Sequence, residues 1–376
     1  MLKSLELVGY RGFREYSLTA LSRVNLLVGR NNCGKSSVLE GAYLLATGGD
    51  PAVASEIAWQ RGEVIIASDN RERYRGEAYP VISHFFHGHE FGPRSRFTIR
   101  SEGGGEITVQ IVTLQELSDT AERQALLFED IGQEGLGPTL AVLVQASAEG
   151  AARAFPPLPV TDEGAVTQPR HSRFGRALRG DVKVGLPVEF ISPDSLQPRS
   201  MSEMWNRVLT DGRESEVIDA LRILEPTLQN VFFLSGETAF RYAGRAGVLA
   251  AFAGSRRRDP LGSHGDGMRR LLALSLALIR SQGGILLIDE VDTGLHYSVM
   301  GDMWHLIVQA AIDSDVQVFA TTHSLDCVKG LAWLCDNHPR LGSSVALQKI
   351  DSASDEAVGL DAEQIVMAVS QGMEVR

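Results

Sequence analysis

Short apolar runs separated by polar or glycine-rich turns recur along the chain and indicate alternating strands and helices. Residues 24–28, 284–290 and 316–324 contain continuous apolar stretches, which are typical of strands buried on both faces of a parallel sheet. Residues 96–100 and 106–112 instead alternate with period two across a glycine-rich turn, which predicts a β-hairpin. The pattern therefore predicts an α/β protein with a mixed β-sheet and a β-rich lobe.

Helical patterns follow or flank these strands. A first helix is predicted from Lys35 to about Ala46, where residues 47–51 (TGGDP) form a strong breaker cluster. Other helices are predicted over 202–210, 213–224 and 271–279. Other strands are predicted over 139–145, 188–191, 231–234 and 240–242, the last two as a hairpin. Residues 146–183, rich in alanine, proline, glycine and arginine, are expected to form a loop or flexible insertion.

The composition is that of an ordinary globular chain, with 376 residues of which 44% are hydrophobic and 22% charged. Apolar runs stay well short of the roughly 20 residues of a membrane span, so no membrane contact is expected. Three cysteines are too few for a disulfide framework, and the N-terminus lacks a signal peptide's apolar stretch, so we expect a cytoplasmic protein. The net charge of −11 argues against DNA binding by the whole surface but leaves open a local basic groove, with Arg256, Arg257 and Arg258 as the clearest cluster.

The glycine-rich stretch after the first apolar run fits the phosphate-binding pattern GxxxxGK[ST] at every fixed position. It consists of Gly29, Arg30, Asn31, Asn32, Cys33, Gly34, Lys35 and Ser36, with Ser37 following. The predicted strand before it and helix after it are the context that this motif requires. Loop amides would cradle phosphates, Lys35 would contact the β and γ oxygens, and Ser36 would bind Mg²⁺. ATP with Mg²⁺ is therefore the expected ligand.

Two carboxylates, Asp289 and Glu290, end the apolar run 284–290. Asp289 is the expected Walker B residue that holds Mg²⁺ together with Ser36. Glu290 is placed to orient or deprotonate the attacking water, and its alternative role is that of a helix-capping carboxylate. His323 ends the third run and could hydrogen-bond the γ-phosphate.

A histidine-rich segment over 84–90 (HFFHGHE) stands apart from these motifs. His87 and His89 would share one face of a strand, with Glu90 close by, which is an arrangement found in metal sites. Since no further cluster of metal-ligating residues accompanies them, we favour the interpretation that the segment is a polar surface loop.

Together the motifs resemble ABC-type ATPases of the SMC and DNA-repair class. They resemble more closely the overcoming-lysogenization-defect (OLD)-like ATPases, which include small stand-alone AAA ATPases of bacterial defence and toxin–antitoxin systems. The residues that carry the resemblance are 9–13 (GYRGF), the P-loop, Gly265-Asp266-Gly267, Asp289-Glu290 and His323. The resemblance implies a P-loop NTPase fold in which one ABC-type ATPase head spans 1–376. Its parts would be an insertion or β-rich lobe over 52–185, a helical lobe with the signature turn over 200–282, and the Walker B, D-loop and switch-histidine segment over 283–376.

The resemblance also implies roles for individual residues. Arg11 would lie near the nucleotide, residues 292–296 would form the D-loop, and Glu290, Lys35 and His323 would be catalytic. The signature loop, which would contact ATP bound by a second subunit, would comprise Ser263, Gly265, Asp266 and Gly267. ATP would then be sandwiched in a homodimer or higher oligomer. Gly265 replaces the family's signature serine, with Ser263 and Asp266 as possible substitutes, and Gln145 and Gln197 are the candidates for the Q-loop glutamine.

Two features of related proteins are not recognisable in this sequence, namely the heptad arms of SMC proteins and the Toprim nuclease domain of full OLD proteins. Nuclease or toxin activity would then belong to a separate partner. We therefore predict an ATPase whose ATP-dependent dimerisation regulates an effector protein, in bacterial anti-phage defence. Two alternatives remain open: a DNA-binding repair or recombination clamp controlled by ATP, and a nucleotide-dependent scaffold with negligible turnover.

Overall fold

The protein was analysed as a computed structural model, which describes residues 1–66, 78–103, 105–117, 140–148, 151–166, 186–193, 198–234 and 247–373. The helices are α1 Lys35–Ala46, α2 Pro51–Gln60, α3 Pro198–Asp211, α4 Glu214–Leu221, α5 Asp266–Arg280, α6 Met300–Asp313, α7 Leu325–Asn337, α8 Pro339–Gly342 and α9 Ala362–Ser370. The first strands are β1 Leu5–Tyr10, β2 Phe13–Leu18, β3 Val24–Val28, β4 Val64–Ile66, β5 Ala78–Pro80, β6 Arg96–Ser101, β7 Gly105–Thr113, β8 Leu140–Ala148 and β9 Ala151–Ala154. The remaining strands are β10 Leu158–Val160, β11 Val188–Ile191, β12 Leu228–Phe233, β13 Val248–Phe252, β14 Arg258–Pro260, β15 Ile285–Ile288, β16 Gln317–Thr321, β17 Val345–Lys349 and β18 Val358–Leu360.

A six-stranded mixed sheet in the order β11-β15-β16-β3-β17-β18 forms the centre of the molecule. Its strands are parallel except β18, which pairs antiparallel with β17. Along β3, Leu26 belongs to the hydrophobic core on one face of the sheet and Leu27 to the core on the other. Side chains alternate between the faces of a strand, so β3 is apolar except at Asn25, whose buried amide donates hydrogen bonds to the carbonyl oxygens of Ser22 and Val318. The predicted two-sided burial of this strand is confirmed.

A seven-stranded antiparallel sheet covers one side of the centre, in the order β10-β8-β7-β6-β1-β2 with β9 on β8. The predicted hairpin is confirmed, since β6 and β7 pair from Arg96 opposite Gln110 to Ser101 opposite Gly105. The prediction of a loop over 146–183 is wrong at residues 146–148, 151–154 and 158–160, because β8 continues to Ala148 and β9 and β10 follow. Alanines and Pro159 hide the strand period there, and proline is tolerated because β10 is an edge strand. Residues 167–183 lie outside the described residues.

The helical lobe packs on the opposite face of the central sheet and contains α3, α4, α5 and a small sheet ordered β12-β13-β14. The described partner of β12 is β13, and the strand predicted over 240–242 lies outside the described residues. Helix α5 begins at Asp266 rather than Leu271. Gly265 precedes the helix with φ 97°, a conformation that favours glycine. Because the first turn is mostly polar and contains Gly267, its sequence looks like a continuation of the glycine-rich loop.

Helix α2 begins within the cluster that ends α1. The Asp50 carboxylate accepts a hydrogen bond of 2.9 Å from the Ala52 backbone N–H, and Pro51 occupies the first helical position. Aspartate at the cap and proline at the first turn are both favoured at helix starts, so the breaker cluster also starts a helix. None of the described helices is both long enough and apolar enough to cross a membrane.

Candidate nucleotide site

The loop between β3 and α1 has the glycine-dependent backbone of a phosphate-binding loop. Gly29 and Gly34 have φ angles of 147° and 101°, in the left-handed region that favours glycine. A Cβ at Gly34 would lie 2.3 Å from the Phe13 ring, and a Cβ at Gly29 would lie 2.4 Å from the Ile350 carbonyl oxygen. Both glycines are therefore required by close packing as well as by backbone conformation.

The other loop residues differ in exposure. Arg30, Asn31 and Asn32 lie exposed at the crest of the loop, while Cys33 is buried and Ser37 is buried at the start of α1. The crest is therefore open to solvent, whereas the base of the loop is anchored in the core.

Lys35 lies in the curve of the loop. Its Nζ atom is 2.8 Å from the Gly29 carbonyl oxygen and 2.9 Å from that of Arg30. The Nδ1 atom of His323 is 3.3 Å from the same ammonium. Burial lowers the pKa of Lys35. The structure therefore brings together the P-loop lysine and the predicted switch histidine.

Ser36 and Asp289 meet at the ends of β3 and β15. The Ser36 hydroxyl donates to the Asp289 carboxylate at 3.1 Å, and the Thr321 hydroxyl donates to the other carboxylate oxygen at 2.6 Å. A hydroxyl and a carboxylate are hard oxygen ligands, and Mg²⁺ is usually held by one or two carboxylates together with substrate phosphates. The residues present therefore fit a Mg²⁺ ion shared with a bound nucleotide.

Glu290 follows Asp289 in a left-handed conformation, with φ 50°. Its backbone N–H donates to the Thr321 hydroxyl at 2.8 Å, and its carboxylate accepts from the Thr293 hydroxyl at 3.2 Å. The next helical turn along the chain begins only at Tyr297 and is capped by His296. The alternative of a helix-capping role for Glu290 is therefore wrong.

Arg270 is a functional candidate that the sequence analysis missed. Its side chain is 1% exposed, and it donates from Nη2 to the carbonyl oxygens of Asp289 and Glu290, at 2.7 Å each, and from Nη1 to that of Ser192 at 2.8 Å. Burial lowers the pKa of Arg270 to about 10. The available signal was an arginine directly before a run of leucines, where a core position would normally be apolar.

The predicted signature turn lies at the start of α5. Ser263, Gly265 and Asp266 are exposed, and Gly267 is buried against the segment predicted as the D-loop. A Cβ at Gly267 would lie 2.9 Å from the Gly294 carbonyl oxygen. The turn and the D-loop are thus packed together in one chain, while three of the four predicted signature residues remain accessible to a second molecule.

Arg11 lies in a cluster of charged side chains beside α1. Its guanidinium pairs with Glu40 at 2.6 Å and with Glu63 at 2.7 Å, and it stacks over the Phe85 ring at 4.4 Å from the centroid. Glu40 also pairs with Arg61. Since Glu40 is on the helix that follows the P-loop, Arg11 is joined to that helix by an ion pair that the sequence did not reveal.

The remaining predicted residues lie farther from this cluster or outside the description. Gln145 is an exposed residue of β8 in the seven-stranded sheet, paired opposite Thr108 and Ala154. Gln197 lies outside the described residues. Within the predicted D-loop, Asp292 accepts a hydrogen bond of 2.6 Å from the Thr322 hydroxyl.

One known protein family matches the part of the chain that contains much of this site. A family profile described as "AAA domain, putative AbiEii toxin, Type IV TA system" matches residues 184–326, which include α5, Asp289-Glu290 and His323. The P-loop joins the same sheet, with β16 between β3 and β15. The predicted resemblance to ABC-type, SMC-like P-loop ATPases is confirmed.

Two curated proteins are similar to this chain. An "ATP/GTP phosphatase" from Helicobacter pylori (strain ATCC 700392 / 26695) is 20% identical over 346 residues, covering 88% of this chain and 87% of the relative. The "DNA replication and repair protein RecF" from Clostridioides difficile (strain 630) is 45% identical over only 47 residues, 12% of this chain and 13% of the relative.

Two solved structures are also similar. One is an SMC head bound to the C-winged helix domain of ScpA, with a TM-score of 0.46, 12% identity and coverage of 96% of this chain and 98% of that one. The other is the SMC head domain from Thermotoga maritima, with a TM-score of 0.40, 13% identity and the same coverage. The fold assignment itself rests on the strand order and the phosphate-binding loop.

Proposed function

We propose that this ATPase head hydrolyses ATP in a Mg²⁺-dependent reaction and that ATP joins two copies of the chain to regulate a separate effector. The observation that carries the hydrolytic part is the contact of Ser36 and Asp289 at 3.1 Å, with Glu290 next in sequence. The residues that would hold Mg²⁺ thus lie beside the P-loop, next to the carboxylate of Glu290. Among the described residues, Glu290 forms no ion pair with an arginine or a lysine. Such an arrangement suits phosphoryl transfer to water.

Each residue of the site has a role in this proposal. Lys35 would exchange its bonds to the loop carbonyls for bonds to phosphate oxygens, and the loop amides would bind the remaining oxygens. Ser36 and Asp289 would hold Mg²⁺, which neutralises charge on the β and γ oxygens when it is bound. Glu290 would accept the proton of the attacking water. His323, beside Lys35, would donate a hydrogen bond to the γ-phosphate.

Dimerisation is proposed from the exposure of the signature turn. Ser263, Gly265 and Asp266 are exposed at the N-terminus of the long helix α5, where backbone N–H groups favour an anion. A nucleotide bound to one copy would supply that anion to the second copy. The packing of Gly267 on Gly294 would couple this contact to the D-loop.

A role in a toxin–antitoxin system is supported by the family description, which names a toxin of a type IV system. In that description the toxin is the AAA domain itself, so a separate nuclease or toxin partner and a role in defence against phage follow from the resemblance of the sequence alone. The second candidate, a DNA-binding repair clamp, is favoured by the segment shared with RecF and by exposed Arg256 and Arg257 between β13 and β14. Their neighbour Arg258 is held over the Phe232 ring at 3.9 Å.

The decisive experiment compares phosphate release by the wild type, Glu290→Gln and Lys35→Ala, with ATP and with GTP. Loss of the carboxylate base should lower kcat by at least about 100-fold while nucleotide binding persists. Lys35→Ala should abolish binding of a fluorescent nucleotide. If the wild type turns ATP over as slowly as Glu290→Gln does, the protein is a nucleotide-dependent scaffold and not an ATPase. If Lys35→Ala binds nucleotide with unchanged affinity, the P-loop assignment is wrong.

Sedimentation and DNA titrations separate the remaining alternatives. Glu290→Gln with ATP and Mg²⁺ should sediment as a dimer, and without nucleotide as a monomer. A monomer under both conditions would contradict the sandwich. Binding to duplex DNA that weakens with salt and is lost in the double variant Arg256→Ala/Arg257→Ala would favour the clamp.

A further inference from the structure

The histidine-rich segment 84–90 forms two consecutive 3-10 turns, Ser83–Phe85 and His87–His89. The predicted sharing of a strand face by His87 and His89 is therefore wrong. The residues that meet are His84 and His89, whose Nδ1 atoms are 3.1 Å apart. Their rings are nearly perpendicular, at 81° with centroids 5.0 Å apart.

The backbone brings these two rings together through an uncommon conformation. Gly88 and His89 both have positive φ angles, of 66° and 58°. A positive φ is uncommon for a residue other than glycine, although histidine adopts it more often than most. Such conformations persist where the surroundings enforce them, and they concentrate at functional sites.

We propose that His84 and His89 bind a transition-metal ion of the zinc, copper or nickel class through their Nδ1 atoms. Two imidazole ligands on a tetrahedral zinc ion, at bond lengths of about 2.0–2.1 Å, have nitrogen atoms about 3.3 Å apart. The observed separation of 3.1 Å is close to that value. Imidazole suits zinc, copper and nickel, and each ring would carry its proton on Nε2 so that both Nδ1 lone pairs face the ion.

The site has two protein ligands. The third histidine of the segment, His87, is engaged elsewhere through its Nδ1 atom, which is 3.1 Å from the Arg11 carbonyl oxygen. The described residues contain no group of three or more histidine, cysteine, aspartate or glutamate side chains that could hold a metal. Water would complete the coordination, so the ion would exchange readily. His84 is half-buried and His89 exposed, which gives the ion access from solvent.

A bound ion would tie together the segment that supports Arg11. The Arg11 backbone N–H donates to the Phe85 carbonyl at 2.8 Å, His87 contacts the Arg11 carbonyl, and the Phe85 ring lies under the guanidinium. An ion bound to both His84 and His89 would join the two ends of the short segment that contains Phe85. Metal binding should therefore raise the melting temperature of the protein, since a ligand of the folded state stabilises it.

The experiment uses the full chain, from which metal is first removed with a chelator. Zn²⁺ binding is then measured by titration calorimetry. Excess Mg²⁺ is present throughout, so that it occupies the oxygen ligands at Asp289. Wild type should bind one Zn²⁺. Because even the loss of an outer-shell partner costs about 10-fold in metal affinity, His84→Gln and His89→Gln should each bind at least that much more weakly. Cu²⁺ in place of Zn²⁺ should show two nitrogen ligands by electron paramagnetic resonance in the wild type.

Two variants serve as controls. His87→Gln lies in the same segment, and His338→Gln removes one ring of a second close pair with His305, whose centroids are 4.8 Å apart. Both should bind Zn²⁺ as the wild type does and show the same rise in melting temperature. Wild-type affinity in His84→Gln and His89→Gln, or loss of binding in His338→Gln alone, would overturn the proposal.

Discussion

The Thr321 hydroxyl donates a hydrogen bond of 2.6 Å to Asp289 and accepts one of 2.8 Å from the Glu290 backbone N–H. Thr321 is the last residue of β16, which lies between the strands that carry the P-loop and Asp289-Glu290. Thr321 is only 1% exposed, so its hydroxyl is shielded from solvent. One side chain therefore orients the proposed Mg²⁺ ligand and fixes the turn that carries the proposed base.

Replacing Thr321 by valine should impair Mg²⁺ use without unfolding the protein. Valine keeps the shape of threonine but removes both hydrogen bonds, and loss of such an outer-shell partner costs about 10–100-fold in metal affinity or activity. The Mg²⁺ concentration for half-maximal ATPase activity should rise accordingly. Thr322→Val is the matched control, since Thr322 bonds Asp292 instead. Equal Mg²⁺ requirements in the two variants would contradict the assignment.

The parts of the site that the sequence predicted are those contained in one continuous stretch. The P-loop needs only β3, a glycine loop and α1, and Asp289-Glu290 needs only the end of β15, so local patterns are sufficient. The contact of Lys35 with His323 at 3.3 Å required in addition that the two strands be neighbours, which the parallel-sheet pattern suggested.

The contacts that sequence reasoning missed join distant segments through single polar groups. Arg270 bonds to backbone carbonyls, which have no sequence signature, and Thr321 is an ordinary strand residue by its pattern. The Arg11–Glu40 pair depends on how the β1–β2 turn packs against α1. The assignment of 52–185 and 200–282 as separate parts of the head stays a prediction.

Replacing Arg270 by methionine should destabilise the protein and slow hydrolysis together. Methionine fills similar space but leaves the carbonyls of Asp289, Glu290 and Ser192 without this donor, and hydrogen bonds to charged groups contribute about 1.5–3 kcal/mol each. Urea unfolding should show a loss of at least about 2 kcal/mol, with a lower kcat. Arg269→Met, at a half-buried position where the side chain is 43% exposed and pairs with Asp266, should change the unfolding free energy by at most about 1 kcal/mol. Equal effects of the two substitutions would contradict this role.

Replacing Glu40 by glutamine should cost more stability than the same change in a surface ion pair. The Arg11 and Glu40 side chains are only 7% and 6% exposed, and removing one partner of a buried pair costs about 3–5 kcal/mol. Glu6→Gln breaks the exposed pair with Arg100 and should cost at most about 1 kcal/mol. Chemical denaturation of both variants measures the difference, and a loss at Glu40 no larger than at Glu6 would refute it.

Replacing Gly267 by alanine should weaken the coupling between the signature turn and the D-loop. Alanine favours helix by about 1 kcal/mol over glycine, so the substitution alone should stabilise α5. The new Cβ, however, would lie 2.9 Å from the Gly294 carbonyl oxygen, and overpacking of this kind costs about 1–3 kcal/mol. We expect lower ATP-dependent dimerisation by sedimentation in the Glu290→Gln background. Gly92→Ala, where a Cβ meets nothing within 4 Å, should dimerise as the parent does. Unimpaired dimerisation of Gly267→Ala would show that the two segments move independently.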